Sequence, residues 1–145
     1  MTLKPAIYRT QEDIECLVQA FENASLSPSE FSHHAHMTVA LWYLMRLPYA
    51  DAVTHMRMQI RKFAARHHQS QLYNETITLF WMKLLRHLLN RAELGTSAAD
   101  TVYQILTTWG SMLFVFKHYS KELVFSEAAK QSWVEPELRP LGFES

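Results

Sequence analysis

The segment Phe31–Leu44, FSHHAHMTVALWYL, constrains this chain more than any other. Three histidines crowd its start, and from Met37 to Leu44 scarcely a polar group follows. A helix that is apolar on nearly every side must be covered on nearly every side. This stretch therefore belongs at the centre of a helical bundle, with His33, His34 and His36 at its N-terminal end and Pro48 ending it just after Leu47.

The remaining chain supplies the covering helices. Thr10 and Asp13 form a capping signal ahead of Ile14, Leu17, Val18 and Phe21, which recur at helical spacing and predict an amphipathic helix from Gln11 to about Ala24. Ser27-Pro28 predicts a short helical turn leading to the histidines. Tyr49 to about Arg66 carries Ala50, Val53, Met56, Ile60, Phe63 and Ala64 as an apolar face, with Arg57, Gln59, Arg61 and Lys62 elsewhere. After a polar connector at 67–71, a helix apolar on most sides is predicted from Asn74 or Glu75 to about Asn90. Gly95 and Ser97 mark a loop and a cap for a further helix from Ala98 to about Phe116, weakened by Thr107, Thr108 and Gly110. Ser120 and Ser126 cap two short turns, and Pro136 and Pro140 keep the tail extended.

A length of 145 residues makes one domain, 1–145, able to bury a core without disulfide or metal staples. With 48% hydrophobic residues, 19% charged residues and three glycines, the composition argues against disorder and against a turn-rich all-β fold. The expected class is all-α: a bundle of four long helices after an N-terminal helix, with short C-terminal helical turns.

Fourteen basic residues balance fourteen acidic ones, so no general field recruits nucleic acid or an anionic membrane, and neither is an expected partner. No segment has the roughly 20 apolar residues of a membrane span, and the N-terminus has no apolar run of signal-peptide length. A cytoplasmic location is the expectation. The single cysteine, Cys16, cannot form an internal disulfide and is expected in the core.

Short connections favour antiparallel neighbours, which brings the starts of the segments near His34 and Glu75 to one end of the bundle, with the finishes of the other two. Six of the eight histidines, His33, His34, His36, His67, His68 and His118, would gather there, with Glu75, Thr76, Thr78, Tyr119 and Ser120. His33 and His36 share a face if the helix has begun by His33. Two imidazoles and the Glu75 carboxylate would then make a facial ligand set for one divalent metal, Fe, Zn or Mn. His118 or His68 would complete or flank it, Tyr73 and Tyr119 would hydrogen-bond around it, and Glu75, Tyr119 and His118 are the candidate catalytic groups.

Other chemistries have less support. There is no H-E-x-x-H, G-x-S-x-G, P-loop, dinucleotide fingerprint or haem-attachment motif, and the chain does not supply the two Glu-x-x-His pairs of a di-iron site. The trio of motifs Phe31-Ser32-His33-His34-Ala35-His36-Met37, Tyr73-Asn74-Glu75-Thr76-Ile77-Thr78 and His118-Tyr119-Ser120-Lys121-Glu122, followed by Trp133, Pro136 and Pro140-Leu141, resembles a family of small bacterial helical proteins. Asn74 stands where that pattern has histidine, and Met37 where it has leucine. The resemblance implies that His33, His36, Glu75, Tyr119 and Ser120 form a set; it implies no activity.

The leading expectation is a metal-dependent enzyme acting on a small molecule. The alternative is a metal-free small-ligand-binding or protein-interaction module in which the same groups form a hydrogen-bond network, and a third reading is pure structure. Val124, Phe125 and Phe143 are expected on the surface, where they would suit a homodimer contact.

Overall fold

The central helix forms where expected and is the hub of the molecule. A computed structural model describes residue 8 and residues 10–91 and 97–143; the loop expected at Gly95 lies outside the described residues. Among these residues the secondary structure is entirely helical. In chain order the helices are α1 (Gln11–Glu22), α2 (His33–Arg46), α3 (Tyr49–Arg66), α4 (Glu75–Asn90), α5 (Ala98–Trp109), α6 (Lys121–Val124) and α7 (Glu127–Gln131), with 3₁₀ helices at Ser70–Leu72 and Met112–Lys117.

Helix α2 packs against α1, α3, α4 and α5. Its residues Ala35, Met37, Thr38, Val39, Ala40, Leu41 and Tyr43 are all buried, which is what a helix without a polar face requires. The lone hydroxyl among Met37–Leu41 is satisfied locally: Thr38 donates to the His34 carbonyl at 2.8 Å. Side chains of the surrounding helices complete a continuous core that includes Phe21, Phe63, Phe80 and Leu85.

Caps set most of the boundaries. Thr10 and Asp13 form the reciprocal capping box of α1, and Ser32, Asn74, Ser97, Ser120 and Ser126 each accept a backbone N–H at the start of α2, α4, α5, α6 and α7. Helix α3 ends with His68 in the left-handed region, at φ 57°. Glycine commonly fills that position.

Residues 27–31 make the expected single helical turn: Phe31 N–H donates to the Ser27 carbonyl at 3.1 Å, and Ser27 and Glu30 side chains bond each other's backbone N–H groups. Three expectations are corrected. Helix α5 stops at Trp109 and the chain re-enters as a 3₁₀ helix; its C-cap, Gly110, lies so close to α2 that a Cβ there would overlap the His34 ring and the Leu106 carbonyl. Cys16 is exposed: it falls opposite the buried stripe of Ile14, Leu17, Val18 and Phe21. Among the surface residues expected at the tail, Phe125 is exposed, but Val124 is fully buried and Phe143 is packed against the core.

Candidate functional site: an apolar cavity lined by two neutral histidines

The first turns of α2 and α4 open onto one cavity of about 360 Å³. His33 and His36 line it from α2, with Met37 and Ala40 below them; Tyr73, Asn74, Thr78 and Trp81 line it from α4 and its approach; Met56 and Ile60 come from α3. Ser32 caps α2, so helical geometry already holds at His33, and residues three apart lie on one face. That turns His33 and His36 into the cavity. His34, between them, points away to a separate recess beside Gly110 and Thr107.

Each ring is fixed by aromatic neighbours. His36 lies 3.8 Å from the Phe31 ring centroid, and Phe31 packs on Phe21 and Phe63 at 4.5 and 4.9 Å. His33 meets Trp81 edge-on at 4.6 Å. Burial disfavours the charged imidazole, so His33 is lowered from 6.5 to about 4, with a smaller contribution from His34, and His36 to about 3, with a smaller contribution from His33. Both rings are neutral at physiological pH. The Nε2 atom of His33 is buried with no hydrogen-bond partner among the described residues.

Glu75 sits beside this cavity and faces elsewhere. Its carboxylate is buried, and its Oε1 accepts from the Tyr73 hydroxyl at 2.5 Å and from Arg57 Nε at 3.1 Å. Arg57 Nη2 lies 2.9 Å from Oε2, and Arg61 lies 3.8 Å from Oε1. Burial depresses the Arg57 guanidinium, but Glu75 and Tyr73 outweigh it and hold it above its ordinary range. Burial and the bond to Glu75 together raise Tyr73. Tyr73 thus spans the two groups, its ring on the cavity and its hydroxyl on the carboxylate. Among the described residues no three His, Cys, Asp or Glu side chains converge on a point that would hold a metal.

The other expected site residues form a clasp on the C-terminal segment. His118 Nδ1 donates to the Arg139 carbonyl at 3.0 Å, Tyr119 donates to the Val134 carbonyl at 2.6 Å, and the Ser120 N–H and hydroxyl donate to the two oxygens of Glu137 at 2.6 and 2.9 Å. The α4 motif grips the same segment from the other side. Asn74 donates to Val124 at 2.7 Å, while the Thr76 hydroxyl lies 2.8 and 2.9 Å from the Ala129 and Ser132 carbonyls and accepts from Val134 N–H. Thr78 bonds back to the Asn74 carbonyl. Tyr119 is fully buried, and His118 lines a different cavity from His33 and His36. His67 packs on Phe63, and His68 closes α3.

Sequence reasoning missed Arg57 as the partner of Glu75, since a cation on a helix face reads as solvated until the facing helix is known. It also passed over Met112, Phe116 and Phe125 as cavity residues, whose pattern carries no signal beyond hydrophobicity. No family model matches the chain, and comparison with curated proteins and with solved structures returns no match. No helix among the described residues is long and apolar enough to cross a membrane.

Proposed function

We propose that the cavity between α2 and α4 binds a small, uncharged, mainly apolar molecule carrying a hydroxyl, held by His33. The observation that carries this reading is an enclosure whose described lining residues include no ionised side chain, walled in part by His33, whose Nε2 is buried with no hydrogen-bond partner among the described residues. An unpaired buried polar atom costs about 1–3 kcal/mol, a cost a bound ligand removes. A hydroxyl suits either tautomer of the ring, because it both donates and accepts. A charged ligand does not suit it: neutral imidazoles offer no counter-charge, and the walls are Phe31, Met37, Met56, Trp81 and their neighbours. The volume lies at the small end of the roughly 300–1,000 Å³ usual for ligand pockets. Leu72, Met112 and Phe125, each at least half exposed, form an apolar entrance.

A metal at His33 and His36 would need Glu75 to leave Arg57 and Tyr73, so we do not route the function through one. The test is titration with 2-naphthol, followed by the Trp81 indole resonance. Saturable binding is expected, stronger than that of naphthalene, with the difference lost in His33→Phe. Equal binding of 2-naphthol and naphthalene by the unaltered protein overturns the reading. Stoichiometric metal in protein purified without a His-tag, lost in His36→Ala, would favour the metal-dependent enzyme in its place.

A further inference from the structure

A second cavity, of about 440 Å³, lies where the end of α4, the end of α5 and the 3₁₀ helix at Met112–Lys117 meet the C-terminal segment. It differs from the first in its charge. Among the described residues its titratable lining groups are His87, Arg91, Lys117 and His118, with no carboxylate. Neither Arg91 nor Lys117 makes an ion pair among the described residues. The Lys117 ammonium lies 4.7 Å from the centroid of Phe114, held by a ring face and not by an acid.

The walls behind these cations are aromatic. Trp109 and Phe114 are 5.0 Å apart on one side, and Phe80 and Phe143 5.8 Å apart on the other. His118 stands perpendicular to Phe143 at 5.9 Å. Its Nδ1 is committed to Arg139, which leaves Nε2 as the polar atom of the ring not used by the fold.

We propose that this cavity is a second binding site, for a small organic anion whose flat apolar body lies between the aromatic walls and whose carboxylate or phosphate group meets Arg91 and Lys117. A guanidinium offers two parallel N–H groups to either anion, and an ammonium adds a point charge. The aromatic walls favour a planar body, since ring pairs gain beyond the area they bury. Arg91 also completes the C-terminal end of α4, where a cation is favoured by the helix dipole. That accounts for Arg91 but not for Lys117, which belongs to a different element and turns to the same cavity. The site is independent of the His33 cavity: no described residue lines both.

The experiment is titration of the full chain with 2-naphthoate and with 2-naphthyl phosphate, with uncharged 2-naphthol as the comparator. Trp109 lines this cavity and Trp81 the other, so their indole resonances report the two sites separately. Binding of at least one anion is expected to shift Trp109 and leave Trp81 in place. Which anion binds tighter tells a carboxylate ligand from a phosphate one. Arg91→Gln and Lys117→Gln should each weaken binding by about tenfold, equivalent to about 1.4 kcal/mol, with His33→Phe unchanged. Both cations lie on exposed positions, so neither variant disturbs the core. Glu144 follows Phe143 in sequence; in Glu144→Gln affinity should be kept or raised. The proposal is overturned if 2-naphthol shifts Trp109 as strongly as the anions do, if neither anion binds, if affinity survives both cation substitutions, or if it is lost in Glu144→Gln.

Discussion

His33 and His118 carry the same ring and both line cavities, yet the fold uses them in opposite ways. His118 belongs to a clasp in which it, Tyr119, Ser120, Asn74 and Thr76 all bond the C-terminal segment. His33 belongs to a wall in which its Nε2 has no partner and the neighbouring carboxylate is committed to Arg57. Polar residues of one kind thus divide into those that complete the structure and those left over by it. A group of the second kind is available to a ligand without first breaking something, and at His118 only the Nε2 that the clasp leaves unused is.

The sharpest way to break that distinction is pH. His33 and His36 have folded-state values of about 4 and about 3, below the unfolded 6.5, so the unfolded chain takes up protons first as the pH falls. Their full contribution to stability is present above the unfolded value, is lost progressively below it, and levels off only below the folded values. At about pH 5 each ring should cost about 2 kcal/mol relative to pH 7. Urea denaturation at the two pH values measures it, and His36→Met should remove about half of the difference. A stability unchanged between them would mean the rings are solvated and the wall is not apolar.

On the clasp side, Thr76→Val keeps the shape of the residue and removes the group shared by Ala129, Ser132 and Val134. Leaving those backbone groups without their partner should cost about 3 kcal/mol in denaturation midpoint analysis, with binding of 2-naphthol unchanged. Loss of binding with stability intact would put Thr76 on the wrong side of the comparison.

Glu75 lies on the border between the two regions. Its pair with Arg57 is one-sided, since the carboxylate is buried while the arginine side chain is 39% exposed. Much of the attraction is therefore screened by solvent. Glu75→Gln keeps an oxygen for Tyr73 and Arg57, and the expected loss is about 1 kcal/mol by thermal or chemical denaturation. A loss of ligand binding out of proportion to that would bring Glu75 into the cavity's chemistry.

Much of the frame was legible before any coordinates. The span Tyr49–Arg66 is predicted and observed alike, because Pro48 opens it and a polar connector closes it. The separation of three residues between His33 and His36, and of one to His34, already sorts them onto different faces of α2. The exposure of Cys16 was also implicit in the stripe of Ile14, Leu17, Val18 and Phe21, and was lost to a general preference for buried cysteine. What the chain does not spell out is pairing at a distance. Arg57 precedes Glu75 by 18 residues, the second half of α3 and a connector, and the carbonyls that Thr76 meets, those of Ala129 and Ser132, belong to the far end of the sequence. Side chains at helix starts look equally ready for chemistry until the segment they grip is in place. The chemistry first expected of Tyr119 and His118 turned on that, since the Tyr119 hydroxyl and His118 Nδ1 both have backbone partners in the clasp.

The smallest effect gives the finest test. In His33→Phe a ring of similar size replaces the imidazole against Trp81, and the polar atom that had no partner is gone. Nothing that was bonded is left unbonded, so stability should hold or rise by up to about 1 kcal/mol. His118→Phe differs by a single bond: it removes the donor to the exposed Arg139 carbonyl, and stability should fall by up to about 1 kcal/mol. The pair of variants therefore has opposite expected signs for one chemical change. If His33→Phe loses as much as His118→Phe, the His33 ring has a structural partner after all, and the cavity has no polar atom waiting for a ligand.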